Sequence, residues 1–149
     1  MNIKQKLYKR CEEIVDHRLL NIENTIASHR KALNSETKSS AGDKHETGRA
    51  MLQLEMEKAG QQLVSVQQMK ETLAKIDISR ESNIVSLGAL IGTNTGNYFL
   101  SISAGQMQIE KTTYFAISTS SPIGKLLLGK KEGEGLFWNG RKIKIHTIS

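Results

Sequence analysis

Residues 15–33, VDHRLLNIENTIASHRKAL, carry a side chain suited to burial at every third or fourth position. The steps between these positions alternate between four and three residues, which is the spacing of a coiled-coil seam. Ile3, Leu7 and Cys11 continue the seam toward the start of the chain. The pattern therefore predicts one long helix with an apolar stripe. The seam of residues 15–33 consists of Val15, Leu19, Ile22, Ile26 and Leu33, with His29 in the remaining position.

A second stretch, residues 52–76, repeats the same rhythm. Two such seams joined by a short polar segment bury each other when they fold into an antiparallel hairpin. Each arm has about 30 residues at a rise of roughly 1.5 Å per residue, so we expect a hairpin about 45 Å long. The second seam consists of Leu52, Met56, Ala59, Leu63, Val66, Leu73 and Ile76, with Met69 or Lys70 in the remaining step.

The histidines and the cysteine are not spaced as metal ligands. None of the four histidines matches a zinc-binding pattern, and the single cysteine, Cys11, adds no ligand pair. We interpret His29 on the seam as a partly buried histidine of the hairpin core. Cys11 falls in line with the apolar positions of the first helix, and a lone thiol forms no internal disulfide.

The second half of the chain has the character of a sheet. The stretches NIVSLGALIG, NYFLSIS, KTTYFAIST and RKIKIHTI are rich in β-branched and aromatic residues, and several alternate apolar with polar positions. Turns are expected at residues 93–97 and 103–106. The pair Asn139-Gly140, between LFW and RKIKI, is a strong signal for a two-residue hairpin.

One short helix is expected to interrupt these strands. Ser121 is a suitable N-cap, Pro122 suits the first helical position, and Gly129 ends the helix. Leu126 and Leu127 would pack on the sheet. The sequence therefore predicts an α+β protein with an N-terminal antiparallel coiled-coil helical hairpin at residues 1–78 and a small antiparallel sheet domain at residues 79–149. So small a domain is expected to draw support from the base of the hairpin.

The composition narrows the class of protein. The chain has 149 residues, 38% hydrophobic and 24% charged, which is typical of a globular protein. No apolar run approaches the roughly 20 residues of a membrane span, and the charged start does not match a signal peptide. We expect a cytoplasmic protein with no membrane partner.

The net charge of +6 favours an anionic neighbourhood, nucleic acid included. No Gly-rich phosphate loop, nucleophile elbow or Cys/His cluster is present in the sequence, so we do not expect an enzyme with a site of its own.

The segment between the two seams, SSAGDKHETGRAM at residues 39–51, contains two acids three residues apart. We call residues 42–47 of this segment the tip. By spacing alone, Asp43 and Glu46 form a capping box that stabilises the start of the second helix by about 1 kcal/mol. The alternative is that these carboxylates perform the function of the protein, and both roles can coexist.

Two stretches of the chain resemble one known family. ISTSSPIGKLLLGKKEGE, residues 117–134, is similar to the C-terminal signature of the bacterial Gre transcript cleavage factors, and GDKHETGRA resembles the Gly-Asp-x-x-Glu-Asn-x-Glu-Tyr motif at the tip of their hairpin. The order of a helical hairpin followed by a sheet domain also agrees, so the resemblance covers nearly the whole chain. It implies that the C-terminal domain has an FKBP-like fold.

The resemblance implies a role for the tip at the catalytic centre of RNA polymerase. In the family, the hairpin enters the secondary channel of RNA polymerase, where the tip acids help to hold a catalytic Mg²⁺ and stimulate cleavage of backtracked RNA. Asp43 and Glu46 fall on the first acid and the first glutamate of the motif and would share the Mg²⁺ with the polymerase. No cofactor would be bound stably by the chain alone. Lys44 and Arg49 would contact RNA phosphates near the 3′ end of the nascent transcript.

The C-terminal signature implies a surface that docks on the polymerase. Its residues would be Ser121, Pro122, Ile123 and Lys125, with the first turn of the short helix facing the polymerase. The factor would act as a monomer and would stimulate the polymerase's own RNA cleavage activity rather than be an enzyme itself.

The tip also departs from the family pattern, which leaves alternatives open. Thr47 replaces the asparagine, Arg49 the second glutamate and Ala50 the tyrosine. A cation in place of an acid lowers the negative charge that would attract a metal ion. One alternative is therefore a regulator that enters the secondary channel without stimulating cleavage. Another is a coiled-coil adaptor whose hairpin binds a different partner.

Overall fold

Two long helices, six strands and one short helix make up the part of the chain that the structure describes. The structure is a computed structural model that describes residues 1–38 and 42–149, with side chains described for residues 1–35 and 47–149. In chain order the elements are α1 (Ile3–Lys38), α2 (Gly42–Ala74), β1 (Leu90–Thr93), β2 (Asn97–Ser101), β3 (Gly105–Ile109), β4 (Thr112–Ser118), α3 (Pro122–Leu127), β5 (Gly135–Trp138) and β6 (Arg141–Ile148).

The chain divides into two compact units. The first consists of Met1–Ile14 and Glu71–Ser149, and the second of Val15–Lys70. The start of α1 and the end of α2 therefore belong with the sheet, as expected for a small sheet domain supported by the base of a hairpin. The domain boundaries at residues 1–78 and 79–149 stay a prediction.

The two seams are confirmed as the buried faces of an antiparallel helix pair. In the second unit, Arg18 Nη1 of α1 lies 3.8 Å from Met69 Sδ of α2. In the first unit, the Tyr8 hydroxyl donates to the Leu73 carbonyl oxygen at 2.8 Å. Partners thus run in opposite directions along the two helices, and Met69, not Lys70, occupies the open step of the second seam. The buried seam positions are Leu7, Cys11, Val15, Ala59, Val66, Leu73 and Ile76.

The start of α1 is held to the segment that follows α2. Asn2 Oδ1 accepts from the Gln5 backbone N–H at 2.8 Å, and Gln5 Oε1 accepts from the Asn2 N–H at 2.9 Å, which is a reciprocal cap. Lys4 is only 8% exposed, and its Nζ donates to the Arg80 carbonyl oxygen at 3.0 Å. Burial lowers the pKa of Lys4, although Glu81 and Asp77 act in the opposite direction.

The sheet has the strand order β3-β4-β2-β1-β6-β5. Four of its neighbouring pairs are antiparallel, but β2 and β4 run parallel, with Tyr98 opposite Phe115 and Leu100 opposite Ile117. The predicted antiparallel sheet is therefore confirmed as a mostly antiparallel one, with one parallel pair. The reason is that β3 folds back on the outer edge of β4, which brings β4 beside β2 in the same direction.

Two hairpins have turns of two residues with positive φ. Asn139 (φ 51°) and Gly140 (φ 73°) join β5 to β6, which confirms the predicted turn. Glu110 (φ 49°) and Lys111 (φ 68°) join β3 to β4 and were not anticipated, because neither residue is a typical turn former. Lys6 of α1 forms an ion pair with Glu110.

The predicted strand NIVSLGALIG is wrong in its first part. Only its last residues enter β1, which spans Leu90–Thr93, while Ile84 makes an isolated bridge with Lys131. Gly88 has φ of 91°, and an added Cβ would lie 2.9 Å from a methyl carbon of Ile76. The chain therefore turns close against the end of the hairpin before β1 begins.

The sheet is covered on both faces within the first unit. Ile123 and Leu127 of α3 belong to a buried cluster with Leu100 of β2, while Ser101, the next residue of β2, lies against Cys11 of α1. Successive strand residues point to opposite faces, so α3 covers one face and the start of α1 covers the other. The other members of the α3 cluster are Val85, Ala89, Ile91, Leu136, Ile143, Ile145 and Ile148.

Candidate functional site

The tip acids lie at the start of α2. α1 ends at Lys38 and α2 begins at Gly42, so Asp43, Lys44 and Glu46 fall in the first two turns of α2. Their side chains lie outside the described residues. The capping box, the Mg²⁺ ligand role and the phosphate contact of Lys44 therefore stay predictions.

The residues that follow the acids are described and face solvent. Thr47, Arg49 and Ala50 are all exposed on α2. Arg49 thus presents a cation one turn after Glu46, where the family motif has an acid. The first acids beyond this point are Glu55 and Glu57, both exposed. Apart from Asp43 and Glu46, no carboxylate occurs between residues 42 and 54.

The start of α3 is fixed by a network of serine hydroxyls. Ser121 is the N-cap, as predicted, and its Oγ accepts from the Gly124 N–H at 3.0 Å while donating to the Ser118 carbonyl oxygen at 2.7 Å. Pro122 takes the first helical position. A Cβ added to Gly124 would lie 2.0 Å from the Ser118 carbonyl oxygen, so only glycine fits there. The residues Ser-Ser-Pro-Ile-Gly thus serve first to build a tight strand-to-helix corner.

The predicted docking residues divide between the two faces of α3. Pro122 and Lys125 are exposed, whereas Ile123 is only 8% exposed and packs in the sheet core with Leu127. A docking role for Ile123 would need an exposed side chain, but Ile123 shares the buried face of α3 with Leu127, because residues four apart on a helix lie on one face. Leu126 was expected to pack on the sheet but is 40% exposed. The exposed residues of α3 among these are Pro122, Lys125 and Leu126.

His29 lies on the α1 seam as predicted and is half-buried. Its Nδ1 has no hydrogen-bond partner among the residues that the structure describes. Within that same part of the chain, no group of three or more His, Cys, Asp or Glu residues is placed to hold a metal ion. Nor does any described helix have the length and apolar character needed to cross a bilayer.

The structure also places together residues that the sequence did not single out. A cleft of about 420 Å³ lies beside the β5–β6 turn. We call it the aromatic cleft. Its residues come from three separate stretches of sequence, which is why no local motif marks it. They are Thr95, Tyr98, Phe115, Trp138, Asn139 and Arg141, with Ile143 beneath them.

Comparison with known proteins gives a likeness in structure, whereas the two sequence comparisons found no match. No family model matches the sequence, and no curated protein matches it. A solved structure described as that of the transcription factor Gfh1 aligns with 95% of this chain and 92% of that chain, at 20% sequence identity and a TM-score of 0.36.

Proposed function

We propose that this protein is a Gre-like transcription factor that binds RNA polymerase and inserts its hairpin into the secondary channel. The observation that carries the proposal is the position of the acid pair. Asp43 and Glu46 lie in the first two turns of a helix of 33 residues, which follows a helix of 36 residues along the chain, and the seams of the two helices are buried against each other. A pair of long helices with carboxylates at the start of the second is suited to reach a buried catalytic centre.

The donor chemistry of the acid pair fits a magnesium ion of the polymerase. Mg²⁺ prefers hard oxygen ligands and keeps several waters, so one or two carboxylates can complete a site that the polymerase and a phosphate build in part. When bound, the metal would supply activation of the water that cuts the RNA. Asp43 and Glu46 would offer the oxygen ligands. Lys44 and Arg49 would contact the RNA phosphates beside them.

The exposed face of α3 is proposed as the docking surface on the polymerase. Leu126 supplies an apolar contact and Lys125 a cation beside it, on a helix whose start is fixed by the Ser121 cap. This assignment replaces Ile123 by Leu126 and keeps Pro122 and Lys125 from the predicted set. The hydroxyl of Ser121 is engaged within the corner, so its contribution would be to hold the surface in shape.

A second candidate is a regulator that occupies the secondary channel without stimulating cleavage. It is favoured by the exposed Thr47, Arg49 and Ala50, which remove the further acid and the aromatic residue of the family motif. Arg49 would lower the negative charge beside Glu46 and so weaken attraction for a metal ion. Such a factor would inhibit or pause the polymerase through the same arm.

The test is transcript cleavage by purified polymerase stalled in a backtracked state. Wild-type protein should release short 3′ RNA products, and the double variant Asp43→Asn/Glu46→Gln should not. The matched control is Glu55→Gln/Glu57→Gln, which removes two exposed acids from the same helix and should leave cleavage unchanged. Binding without cleavage by the wild type would favour the second candidate. If the wild-type protein neither binds the polymerase nor stimulates cleavage, both candidate functions are overturned.

A further inference from the structure

The aromatic cleft is built by strand registers that bring its residues to one face. Tyr98 and Phe115 are partners in the parallel β2–β4 pair, and their ring centroids lie 5.9 Å apart at an interplanar angle of 33°. Trp138 and Arg141 are partners across the Asn139-Gly140 turn of the β5–β6 hairpin. The cleft thus has three aromatic rings and a guanidinium on the residues that line it.

Three polar groups at the rim of the cleft are free to bind a ligand, whereas the Tyr98 hydroxyl lies 3.3 Å from the Thr95 hydroxyl. Within the described part of the chain, the Arg141 guanidinium, the Asn139 amide and the Trp138 indole N–H have no hydrogen-bond or ion-pair partner. No acid lines the cleft. The three rings are half-buried, whereas Arg141 and Asn139 are exposed. The site therefore combines apolar planar surfaces with an uncompensated positive charge.

We propose that the aromatic cleft binds a nucleotide of single-stranded RNA. A base would stack on the rings of Tyr98, Phe115 and Trp138, which is the recurring way in which proteins hold unpaired bases. The adjacent phosphate would pair with the Arg141 guanidinium, whose fork geometry suits phosphate oxygens. The Asn139 amide can both donate to and accept from a ribose 2′-hydroxyl, which distinguishes RNA from DNA.

Charge complementarity favours RNA over a peptide. A proline-rich segment would stack on the rings but leave the Arg141 charge unused, and an acidic segment would pair with Arg141 but offer no planar face to the rings. A nucleotide supplies the planar base and the anion at adjacent positions. The net charge of +6 adds long-range attraction for a polyanion. This proposal does not depend on polymerase binding, because the free protein presents the cleft.

The cleft has a built-in reporter, since Trp138 is the single tryptophan of the chain. Titration of the free protein with a short, mixed-sequence single-stranded RNA at low salt should quench tryptophan fluorescence, because the base stacks on the indole. Arg141→Ala should weaken binding about tenfold and reduce the slope of log affinity against log salt by about one. Tyr98→Leu should weaken binding by a similar factor with no change in that slope.

The matched control lies next to Arg141 in the same strand. Lys142 pairs with Phe137 and points to the opposite face of the hairpin, so Lys142→Ala removes the same charge without touching the cleft. It should leave the quenching and its midpoint nearly unchanged. If Lys142→Ala and Arg141→Ala lose RNA affinity equally, the binding depends on overall charge rather than on the cleft, and the proposal is overturned.

Three other outcomes would also overturn the assignment. No quenching by RNA would exclude base stacking in the cleft. Equal affinity for DNA of the same sequence would remove the assignment to RNA. Stronger quenching by an acidic, proline-containing peptide than by RNA would make the cleft a peptide site.

Discussion

The thiol of Cys11 in α1 and the hydroxyl of Ser101 in β2 lie 3.9 Å apart, with both residues excluded from solvent. This contact joins the start of the first helix to the sheet inside the first unit. Burial raises the pKa of the Cys11 thiol to about 11, although the hydrogen bond with Ser101 acts to lower it. The thiol is therefore held in its neutral form where a free cysteine would begin to ionise.

Cys11 should be protected from thiol reagents in the native state. At pH 8 a thiol with a pKa near 11 is only about 0.1% thiolate, and it is also buried. Reaction with a chromogenic disulfide should therefore be slow and should accelerate sharply at the denaturant concentration where the first unit unfolds. A Cys11→Ala/Ser120→Cys variant places the thiol at an exposed position and should react at once without denaturant. Fast reaction of the native wild type would contradict the burial of Cys11.

The same thiol should make stability fall with rising pH. Above about pH 9 the unfolded chain releases the thiol proton, whereas the folded protein keeps it up to about pH 11. Between these pH values the unfolded state binds fewer protons than the folded state. The contribution of the Cys11 thiol to the free energy of unfolding is therefore present below pH 9 and is lost toward pH 11, by on the order of 2 kcal/mol. The difference in free energy of unfolding between wild type and Cys11→Ala should therefore shrink from pH 8 to pH 11. A constant difference would contradict the raised pKa.

Two glycine-to-alanine changes should act in opposite directions. Gly124→Ala brings its Cβ against the Ser118 carbonyl oxygen, so the α3 corner must shift and the sheet unit should lose about 2 kcal/mol. Gly60 lies inside α2 with no atom within 4 Å of an added Cβ, so Gly60→Ala should stabilise the helix by about 0.5–1 kcal/mol. Denaturant unfolding followed by Trp138 fluorescence and by helical circular dichroism measures the two effects. A gain in stability for Gly124→Ala would contradict the close approach.

The β3–β4 turn should accept glycine at a gain in stability. Lys111 has φ of 68°, a left-handed conformation that costs a residue with a side chain about 1 kcal/mol. Lys111→Gly should therefore raise the free energy of unfolding by about that amount. The reciprocal change is Gly140→Lys in the other two-residue turn, where φ is 73° and the loss should be similar. A loss of stability in Lys111→Gly would contradict the left-handed conformation of Lys111.

Aspartate at two positions of α3 should separate folding from docking. Ile123→Asp places a carboxylate in the sheet core and should abolish folding of the sheet unit. Leu126→Asp changes an exposed position, so the fold should survive while polymerase affinity falls at least fivefold, or about 1 kcal/mol. Affinity is measured with purified polymerase, and circular dichroism checks the fold. Full affinity in Leu126→Asp would remove α3 from the docking surface.

Shortening the hairpin should abolish cleavage while sparing binding. Deleting one heptad from each arm, residues 20–26 and 59–65, keeps the two seams in phase. It should withdraw the tip by about 10 Å at roughly 1.5 Å per residue. A carboxylate must come within about 2.1 Å of Mg²⁺, so stimulated cleavage should be lost. An adaptor that binds through the side of its hairpin would instead lose affinity in proportion to the surface removed. Full cleavage by the shortened protein would contradict delivery of the acids by the arm.

The helical part of the fold is readable from sequence because its signal is long and periodic. The three-four spacing persists over both arms, and burial follows it at each described seam position. The strands are harder to predict, since the β3–β4 turn, Glu110-Lys111, carries no turn signal, whereas the β5–β6 turn, Asn139-Gly140, does. No local sequence pattern predicts the parallel β2–β4 pair, because this pairing depends on β3 lying on the outer side of β4.

The candidate sites show the same limit. α3 has six residues, too few for the pattern to tell its buried face from its exposed face. The sequence therefore assigned Ile123 to docking and Leu126 to the core, whereas Ile123 is buried and Leu126 is exposed. The aromatic cleft draws on β2, β4 and the β5–β6 turn, which are distant in sequence. The spacing of Asp43 and Glu46 marks them as a pair, but a magnesium role could be proposed for them only because the tip resembles a family motif.

The place of β6 in the sheet has a consequence for the order in which the protein folds during synthesis. β6 lies between β1 and β5 in the sheet. Its Ile148 pairs with Ile91 of β1, so the last strand of the chain pairs with the first. The arms of the hairpin and the strands up to β4 leave the ribosome before β6 does. Until the β5–β6 hairpin docks, β1 keeps an unpaired edge that can take up a foreign strand. We therefore expect chains that stall before Arg141 to be the ones that aggregate and need chaperones.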